Sequence, residues 1–362
     1  MTASVLIVGA GLIGTSMALA LGTPEDVMLT DSNRLHEDEA VRQGGGRRWD
    51  GVESADHVVV ATPPGVVVSE LIRLLPLHSA ATFSHVSSVQ AGLEADLQAS
   101  GSETSGICGT HPMAGRERSG PAAATADLFA GRPWALCPSP TTSAAALESV
   151  RQLAIRCGAE PIVLSAAEHD AAVALVSHLP QVAASAVAAV LLTANLPASG
   201  LDPVRLAGPG LQDTTRIAAS DPALWIEVLG RNAAAVAPLV RALADELGVA
   251  AEALRGLAAG RGEDAEVVAD LLRRGVAGRS RVAVKRGGHD RDFARVAIAV
   301  PDRPGQLAGV LVSAAEAGIN VEDVRVEHLT GRPRGVIELL VHASVHDAAA
   351  RALASAGWDV VV

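Results

Sequence analysis

Three glycines with a fixed spacing constrain the fold of this chain more than any other feature of its sequence. They lie in the loop Gly9-Ala10-Gly11-Leu12-Ile13-Gly14, which follows the apolar run Ser4–Val8 and opens a helical segment. Glycine serves there for a tight turn, for close approach of a pyrophosphate to the backbone, and for packing of the helix on the strand. The pyrophosphate then faces the positive end of the helix. The motif predicts a dinucleotide-binding loop with cofactor contacts at Gly9, Gly11, Leu12, Ile13 and Gly14.

The pattern of residues 1–165 predicts a Rossmann-like α/β domain. Further apolar runs are Val27–Thr30, His57–Ala61, Ala81–Val86, Ser105–Cys108, Pro133–Cys137 and Pro161–Leu164. Segments of helical character between them include Gly65–Leu75, Ala91–Ala99 and Ser143–Arg156. Because the runs lack polar alternation and helices separate them, we expect a parallel sheet covered on both faces.

Asp31 stands at the end of the second run, seventeen residues after Gly14. A carboxylate at this place accepts hydrogen bonds from the ribose hydroxyls of the adenosine and repels a 2′-phosphate, which predicts NAD rather than NADP. The alternative is a surface aspartate that only starts the turn Asp31-Ser32-Asn33. Thr62 and Pro63 follow the run His57–Ala61, and we expect them on the nicotinamide side.

Two further domains and a linker follow in the pattern. Residues 166–277 lack strand-like runs and carry Ala/Leu/Val-rich segments punctuated by proline, which predicts an all-α domain. Residues 278–291 belong to a polar, basic stretch that begins near Arg273 and is typical of a solvated linker. Residues 292–362 show the order βαββαβ of a small ferredoxin-like domain.

The composition excludes several classes of protein. A net charge of −11 argues against a nucleic-acid partner. Three cysteines without metal-ligand spacing, and a start that lacks the pattern of a signal peptide, favour a reducing cytoplasm. The apolar segment 171–196 is a poor membrane span because His178, Pro180, Gln181 and Asn195 interrupt it. We expect it to be buried inside the helical domain or a homodimer.

Four places carry the side chains for chemistry on a small molecule. They are Ser87-Ser88-Val89-Gln90, the loop from Gly109 to Glu117 with His111, Ser177-His178-Leu179-Pro180, and the stretch from Gly210 to Trp225 with Arg216. Taken alone, a histidine in a glycine-rich loop is more often a loop hydrogen-bonder, and one in an apolar helix is usually a satisfied core residue. Arg216 adds a rigid, two-pronged donor for a carboxylate. No cluster of metal ligands is visible, and none is expected.

Over residues 1 to about 245 the chain resembles the prephenate and arogenate dehydrogenases. The resemblance rests on the glycine loop, on Thr110-His111-Pro112-Met113-Ala114-Gly115, on Val176-Ser177-His178-Leu179-Pro180 and on Asp213-Thr214-Thr215-Arg216-Ile217. It implies that His111 is the catalytic histidine, that Ser88 helps to orient it, and that His178 and Arg216 bind the substrate's carboxylates. By the same resemblance Glu117 and Asp213 support the pocket, and Trp225 lies near it. His85 and Gln90 depart from the family's usual Asp and Lys.

Residues 300–321 resemble the ACT family, whose small modules bind amino acids between paired copies. The matching stretches are Val300-Pro301-Asp302-Arg303-Pro304-Gly305-Gln306-Leu307 and Ala317-Gly318-Ile319-Asn320-Val321. The resemblance implies a regulatory site at Asp302, Pro304, Gly305, Leu307 and Asn320, with tyrosine as the expected effector. The alternative is a purely structural dimer module.

Prephenate and arogenate differ by a keto group and an ammonium group, and the sequence leaves the choice between them open. Glu117, Gln181 and Asp213 are the candidates for the deciding contact. A non-catalytic regulator that binds NAD and an amino acid is a second class, against which the complete set Ser88, His111, His178 and Arg216 argues. Another Rossmann dehydrogenase with a helical second domain is a third, and it would not need this set.

Overall fold

The computed structural model describes residues 3–22, 24–115, 119–193, 202–282, 292–328 and 334–361. It divides into two compact units, residues 1–245 and 246–362. The division falls inside one long helix. The domain bounds 1–165, 166–277 and 292–362 therefore remain predictions.

The first unit contains an eight-stranded sheet of the order β3-β2-β1-β4-β5-β6-β7-β8. Its strands are β1 Val5–Val8, β2 Val27–Thr30, β3 Arg47–Arg48, β4 His57–Val60, β5 Thr82–His85, β6 Ile107–Pro112, β7 Pro133–Cys137 and β8 Glu160–Val163. All neighbouring strands are parallel except β6 and β7, so the expectation of a wholly parallel sheet was wrong at that pair. Within the described residues, the connection between them contains a short 3-10 turn, Pro121–Ala123, and no α-helix, and antiparallel neighbours need no crossover helix.

Alternate residues of β1 enter two different hydrophobic cores. Val5 and Ile7 belong to one core, and Leu6 and Val8 belong to the other. Helices cover both faces of the sheet, as predicted: α1 Leu12–Leu21, α2 Arg34–Arg42, α3 Pro64–Leu74, α4 Ala91–Ala99 and α5 Ala144–Arg156. Because side chains alternate along a strand, an unbroken apolar run fits a central strand buried on both faces.

The helix α2 and the strand β3 were not among the predicted elements. The sequence of α2 is strongly charged and has no apolar stripe. Its start is capped by Asn33, whose side chain accepts a hydrogen bond from the Leu35 amide, and Glu37 pairs with Arg48 of β3. Caps and ion pairs stabilise this helix locally, which apolar periodicity does not register.

Residues 166–279 are helical where the structure describes them. The helices are α6 Ala166–Val173, α7 Leu179–Val190, α8 Pro209–Thr215, α9 Pro222–Arg231, α10 Ala233–Ala258 and α11 Asp264–Arg279, with a π-helical turn at Ala174–His178 and 3-10 turns at Pro203–Leu206 and Arg216–Ala219. The predicted all-α character is confirmed. The expected solvated linker is wrong in its first part, because α11 continues to Arg279 and Arg274 pairs with both Glu246 and Asp270. Residues 283–291 lie outside the described residues.

By length and composition alone, one described helix could cross a membrane, the 25-residue segment Ala166–Val190, and the bent pair α9–α10 passes the same test. The segment Ala166–Val190 carries buried polar side chains at His169, Asp170, His178 and Gln181. Only 28% of its most apolar window is buried within one copy of the chain, so the expected burial of this segment inside the helical domain does not occur in a single copy.

The second unit ends in a four-stranded antiparallel sheet of the order β10-β11-β9-β12. Its elements are β9 Phe293–Pro301, α12 Gln306–Glu316, β10 Asp323–His328, β11 Arg334–His342, α13 His346–Ser355 and β12 Asp359–Val361. Alternate residues of β9, namely Val296, Ile298 and Val300, pack with Val310 and Leu353 in one core. The predicted βαββαβ order is confirmed.

Stability should fall in acid because of His57, which is buried at the start of β4 and pairs with Ser84 and Ser149. Burial, with a smaller contribution from Arg156, lowers the pKa of His57 to about 4. Between about pH 6.5 and 4 the unfolded chain binds a proton that the folded chain excludes, so stability is complete above pH 6.5 and is lost as the pH falls. Urea unfolding at several pH values should show the loss, and His57→Asn should reduce its slope by about 1.4 kcal/mol per pH unit in that window. An unchanged slope would assign the loss to other groups.

Candidate active site

Two glycines of the loop are required by the packing of the protein backbone, and the third leaves space for a ligand. A Cβ atom on Gly9, whose φ is +108°, would collide with the Ala61 carbonyl, and one on Gly14 would collide with the Gly9 carbonyl. A Cβ atom on Gly11 would meet no protein atom within 4 Å. Gly11 thus forms a cradle that a side chain would fill, at the start of α1, where a pyrophosphate is favoured. Leu12 and Ile13 form the first turn of that helix.

Asp31 is held at the end of β2 by two backbone amides. Its Oδ2 accepts from the Ala10 amide at 2.6 Å, and its Oδ1 accepts from the Asn33 amide at 2.7 Å. Asp31 therefore both starts the turn at Asn33 and faces the glycine loop. A carboxylate fixed in this place suits the ribose hydroxyls of an adenosine.

Thr62 presents an unpaired group on the opposite side of the loop. Its Oγ1 is buried and has no hydrogen-bond partner in the part of the chain that the structure describes. Such atoms are rare in proteins and suit a ligand that completes the bond. Pro63 follows and caps the start of α3. These groups fit the nicotinamide half of a dinucleotide.

His111 lies inside β6, not in a loop as expected, because the strand continues to Pro112 and pairs with β7. Its Nδ1 lies 2.9 Å from Nε2 of His169, and Nδ1 of His169 lies 2.8 Å from Oδ1 of Asp170. The two rings meet edge to face, with centroids 5.1 Å apart. His111 is thus the first of three polar side chains that are joined by hydrogen bonds.

Asp170 also holds the start of α4. Its two oxygens accept hydrogen bonds from the amides of Gln90 and Ala91, each at 2.9 Å. The Gln90 side chain in turn donates to the carbonyls of Ser87 and Thr110, at 2.7 and 2.9 Å. The turn after β5 is therefore clamped to the strand that carries His111.

The departure from the family at His85 and Gln90 has a packing role. Both side chains are buried, and a Cβ atom on Gly109 would collide with Gln90 Oε1 and approach His85 Nε2 to 3.0 Å. Burial, followed by the charge of His169, lowers the pKa of His85 to about 4. Two neutral side chains therefore occupy the place where a charged pair was expected from the family.

His111 is neutral at physiological pH. Burial, with smaller contributions from His169 and His178, lowers its pKa to about 3. A neutral imidazole whose Nδ1 is already bonded offers Nε2 to a ligand. The arrangement can accept a proton at the carboxyl edge of the sheet.

His178 lies in the π-helical turn between α6 and α7. Pro180 lacks the N–H that would close the α-helical bond to Val176, and such turns are frequent at functional sites. The Asn232 side chain donates to the carbonyl of Asp170 at 2.8 Å and lies 3.1 Å from Nδ1 of His178. Trp225 meets the His178 ring edge to face at 5.9 Å. Burial lowers the pKa of His178.

The remaining predicted site residues that the structure describes lie in the turn before α4 and in the helices and 3-10 turn from α7 to Arg216. Ser88 is partly buried in the turn before α4, and within the described residues it makes no hydrogen bond to His111. Arg216 starts a 3-10 turn that packs against α7, and Asp213 lies in α8, which also packs there; both side chains are exposed. Gln181 is buried in α7. Glu117 lies outside the described residues.

Sequence reasoning missed His169, Asp170 and Asn232. A signal for the first two was present, because Glu168-His169-Asp170 is a polar group at the start of the most apolar helix. Asn232 closes α9 and reads as an ordinary C-terminal cap. It contacts Asp170 and His178, which lie 62 and 54 positions earlier in the sequence, so no local pattern indicates these contacts.

A dinucleotide loop with a fixed aspartate at the carboxyl ends of β1 and β2, and a neutral histidine near the carboxyl end of β6 in the same sheet, define an NAD-dependent dehydrogenase. Residues 18–163 match the family described as prephenate dehydrogenase, nucleotide-binding domain, and residues 165–273 match prephenate dehydrogenase, dimerization domain. The chain is 36% identical over 344 residues to the probable prephenate dehydrogenase NovF of Streptomyces niveus, covering 93% of each chain. The chain belongs to the prephenate dehydrogenase family.

Two further comparisons agree. The prephenate dehydrogenase of Bacillus subtilis is 27% identical over 349 residues, which covers 93% of this chain and 91% of that one. A crystal structure of prephenate dehydrogenase from A. aeolicus, in complex with hydroxyphenyl propionate and NAD+, superposes with a TM-score of 0.67 at 25% identity. It covers 76% of this chain and 98% of that one.

The cofactor preference should depend on Asp31. We expect wild-type protein to bind NADH more tightly than NADPH. Asp31→Asn should reduce that ratio of affinities about tenfold or more, since a charge-assisted bond contributes roughly 1.5–3 kcal/mol. Isothermal titration with both cofactors measures the ratio without any substrate. Asp56→Asn is the matched control, because Asp56 also accepts a backbone amide, at the opposite end of the sheet. Equal affinities in the wild type would refute the assignment.

Proposed function

We propose that this protein oxidatively decarboxylates prephenate to 4-hydroxyphenylpyruvate with NAD+, a step of tyrosine biosynthesis. The proposal rests on the neutral His111, whose Nδ1 is hydrogen-bonded to His169. The hydrogen bonds continue from His169 to Asp170, and from Asp170 through Asn232 to His178. Arogenate, with an ammonium group in place of the keto group, is the close alternative. Glu117, Gln181 and Asp213 remain the candidates for that choice.

His111 acts as the general base. Its Nε2 accepts the proton of the C4 hydroxyl of the substrate while C4 is oxidised. The C1 carboxylate then leaves as CO2, and the electrons of the broken bond make the ring aromatic. His111 returns its proton to the resulting phenolate oxygen, so the step consumes no net proton. General-base help of this kind contributes about 10²–10⁴ in rate.

The cofactor is proposed to lie along Gly9, Gly11, Gly14, Asp31, Thr62 and Pro63. Bound there, NAD+ supplies the hydride acceptor for C4. The chain's own residues hold it: the start of α1 faces the pyrophosphate, and Asp31 faces the adenosine ribose.

Two cationic or hydrogen-bonding groups are proposed for the substrate's carboxylates. His178, with Nδ1 next to the Asn232 amide, presents Nε2 to one of them, and Arg216 offers its guanidinium to the other. Ser88 is proposed to help orient His111, while Glu117, Asp213 and Trp225 shape the pocket.

The direct test follows NADH at saturating NAD+ with prephenate and arogenate in parallel. Turnover of either substrate with release of CO2 supports the proposal, and the larger kcat/KM assigns the substrate. A folded protein that binds NAD+ but turns over neither would be the non-catalytic regulator.

The substitution His111→Asn should lower kcat by about 10² or more, because a base that acts in the transition state affects rate rather than cofactor binding. The Kd for NAD+ should stay close to the wild-type value. His78→Asn is the control, since His78 is another buried histidine, which accepts from the Ala55 amide. Near-normal turnover in folded His111→Asn protein would place the base elsewhere.

The substitution Arg216→Ala should raise the KM for the substrate about tenfold or more while the KM for NAD+ changes little, because a charge-assisted bond to a carboxylate is lost. Arg231→Ala is the matched control, since Arg231 pairs with Asp96 at 3.2 Å. A larger effect on NAD+ would move Arg216 to the cofactor site.

We infer a cytoplasmic homodimer that packs through the helical region. The apolar segment 171–196 of this region has exposed side chains, between 41% and 88% accessible, at Leu175, Val176, Val187, Val190 and Leu192. A second copy would cover these side chains, and the matching family region is described as a dimerization domain. Three buried free cysteines suit a reducing compartment.

Residues 292–362 are proposed to act as an ACT-like sensor of tyrosine. Gly305, with φ of +88°, starts α12, whose first amides suit a carboxylate, and Asp302, Pro304 and Leu307 surround that turn. Asn320 lines a cavity of about 280 Å³ between the end of α12 and α13. Tyrosine would inhibit by binding one arrangement of the protein better than another.

Tyrosine should therefore inhibit the wild type, and a coupling of about 1–3 kcal/mol would change activity roughly 5–150-fold. Asn320→Ala should keep its uninhibited kcat and lose most of this response. Asp359→Asn, on the exposed edge strand β12, is the control. Equal inhibition of Asn320→Ala would indicate that tyrosine acts as a product analogue at the active site.

A further inference from the structure

We propose that His169, Asp170 and Asn232 are positioning residues that fix opposite hydrogen-bonding roles on the two site histidines. Through them His111 presents an unprotonated Nε2, and His178 presents a protonated one. The inference deepens the proposed function, on which the identity of the substrate rests.

The first half follows from the hydrogen-bonding capacity of Asp170. Both of its oxygens already accept backbone amides, and an ionised carboxylate can only accept. Nδ1 of His169 must then carry the proton of the 2.8 Å bond to Asp170. A His169 ring that carries this proton and no other has an acceptor at Nε2, so Nδ1 of His111 must donate across 2.9 Å. The lone pair of His111 is thereby confined to Nε2.

The second half follows from the backbone carbonyl of Asp170. A carbonyl only accepts, so the amide nitrogen of Asn232, not its oxygen, must face it at 2.8 Å. The same nitrogen lies 3.1 Å from Nδ1 of His178 and donates to it. The ring proton of His178 is therefore confined to Nε2, where it can donate to a carboxylate.

Asp170 therefore acts on both histidines. Its side chain fixes His111 as a base, and its backbone carbonyl fixes His178 as a hydrogen-bond donor. A substrate with a hydroxyl to deprotonate and carboxylates to bind needs this combination. Asp170 also lies behind His169 as a counter-charge when His111 takes up the proton, in the manner of a base and its orienting acid.

The tautomers can be read directly in the ligand-free full chain by NMR of protein labelled with ¹⁵N in the histidine rings. Signals of His111 and His178 are assigned by their loss in His111→Asn and His178→Asn. We expect the proton on Nδ1 of His111 and on Nε2 of His178. A wild-type His111 protonated on Nε2, or a His178 protonated on Nδ1, overturns the proposal without any variant.

Substitution of His169 then tests the consequence for catalysis. His169→Phe should lower kcat about 10- to 100-fold, the usual effect of losing an orienting partner, with KM values within about threefold. His111 should then populate both tautomers. His169→Gln, which keeps an acceptor near the position of Nε2, should recover part of kcat and the Nδ1-protonated signal.

His57→Phe is the matched control for replacing a buried histidine. His57 pairs with Ser84 and Ser149 and takes no part in the hydrogen bonds between His111, His169 and Asp170. It should leave kcat and both tautomers unchanged. Normal kcat in folded His169→Phe protein, or an unchanged His111 tautomer, would overturn the proposal. If the wild type oxidises neither prephenate nor arogenate, the proposed function fails, while the wild-type tautomers still decide the inference.

Discussion

The carboxylate of Asp170 is the point on which the rest of the site depends. A buried charge is costly unless it is fully hydrogen-bonded, and Asp170 has three donors: the amides of Gln90 and Ala91 and the ring of His169. The first two come from the start of α4 in the nucleotide-binding fold, and Asp170 itself comes from α6. One charge therefore ties the turn after β5 to the first helix of the helical region.

This connection explains the side chains around it. Gln90 uses its amide group to join the turn to the Thr110 carbonyl, directly before His111. Gly109 leaves room for Gln90 and His85, which a larger residue would displace. Because burial is the largest influence on the pKa of His111, the imidazole stays neutral and keeps a ring nitrogen that can accept a proton.

Much of the fold was predictable because its signals are local. The unbroken apolar runs predicted central strands, and the glycine loop predicted the first turn, since both follow from periodicity and backbone sterics. The strand β7 was predicted, but its reversed direction was missed, because an apolar run does not reveal the direction of a strand. The charged helix α2 was missed because caps and ion pairs, not an apolar stripe, stabilise it.

The site divides in the same way. His111 and His178 were recognisable from short motifs, whereas their orientation depends on His169, Asp170 and Asn232, which the fold brings together from distant positions. Ser88 was expected to orient His111, yet His169 holds the Nδ1 bond. The roles of Ser88, Arg216, Asp213 and Trp225 toward a substrate stay predictions.

We propose that Nε2 of His111 is the atom that exchanges a proton with the substrate's C4 oxygen. A crystal structure of the protein with NAD+ and 4-hydroxyphenylpyruvate tests it most directly. We expect about 2.6–3.2 Å between His111 Nε2 and the phenolic oxygen, with the Nδ1 bond to His169 retained. A phenolic oxygen bound by another side chain, or by Nδ1 of a flipped His111, would contradict it.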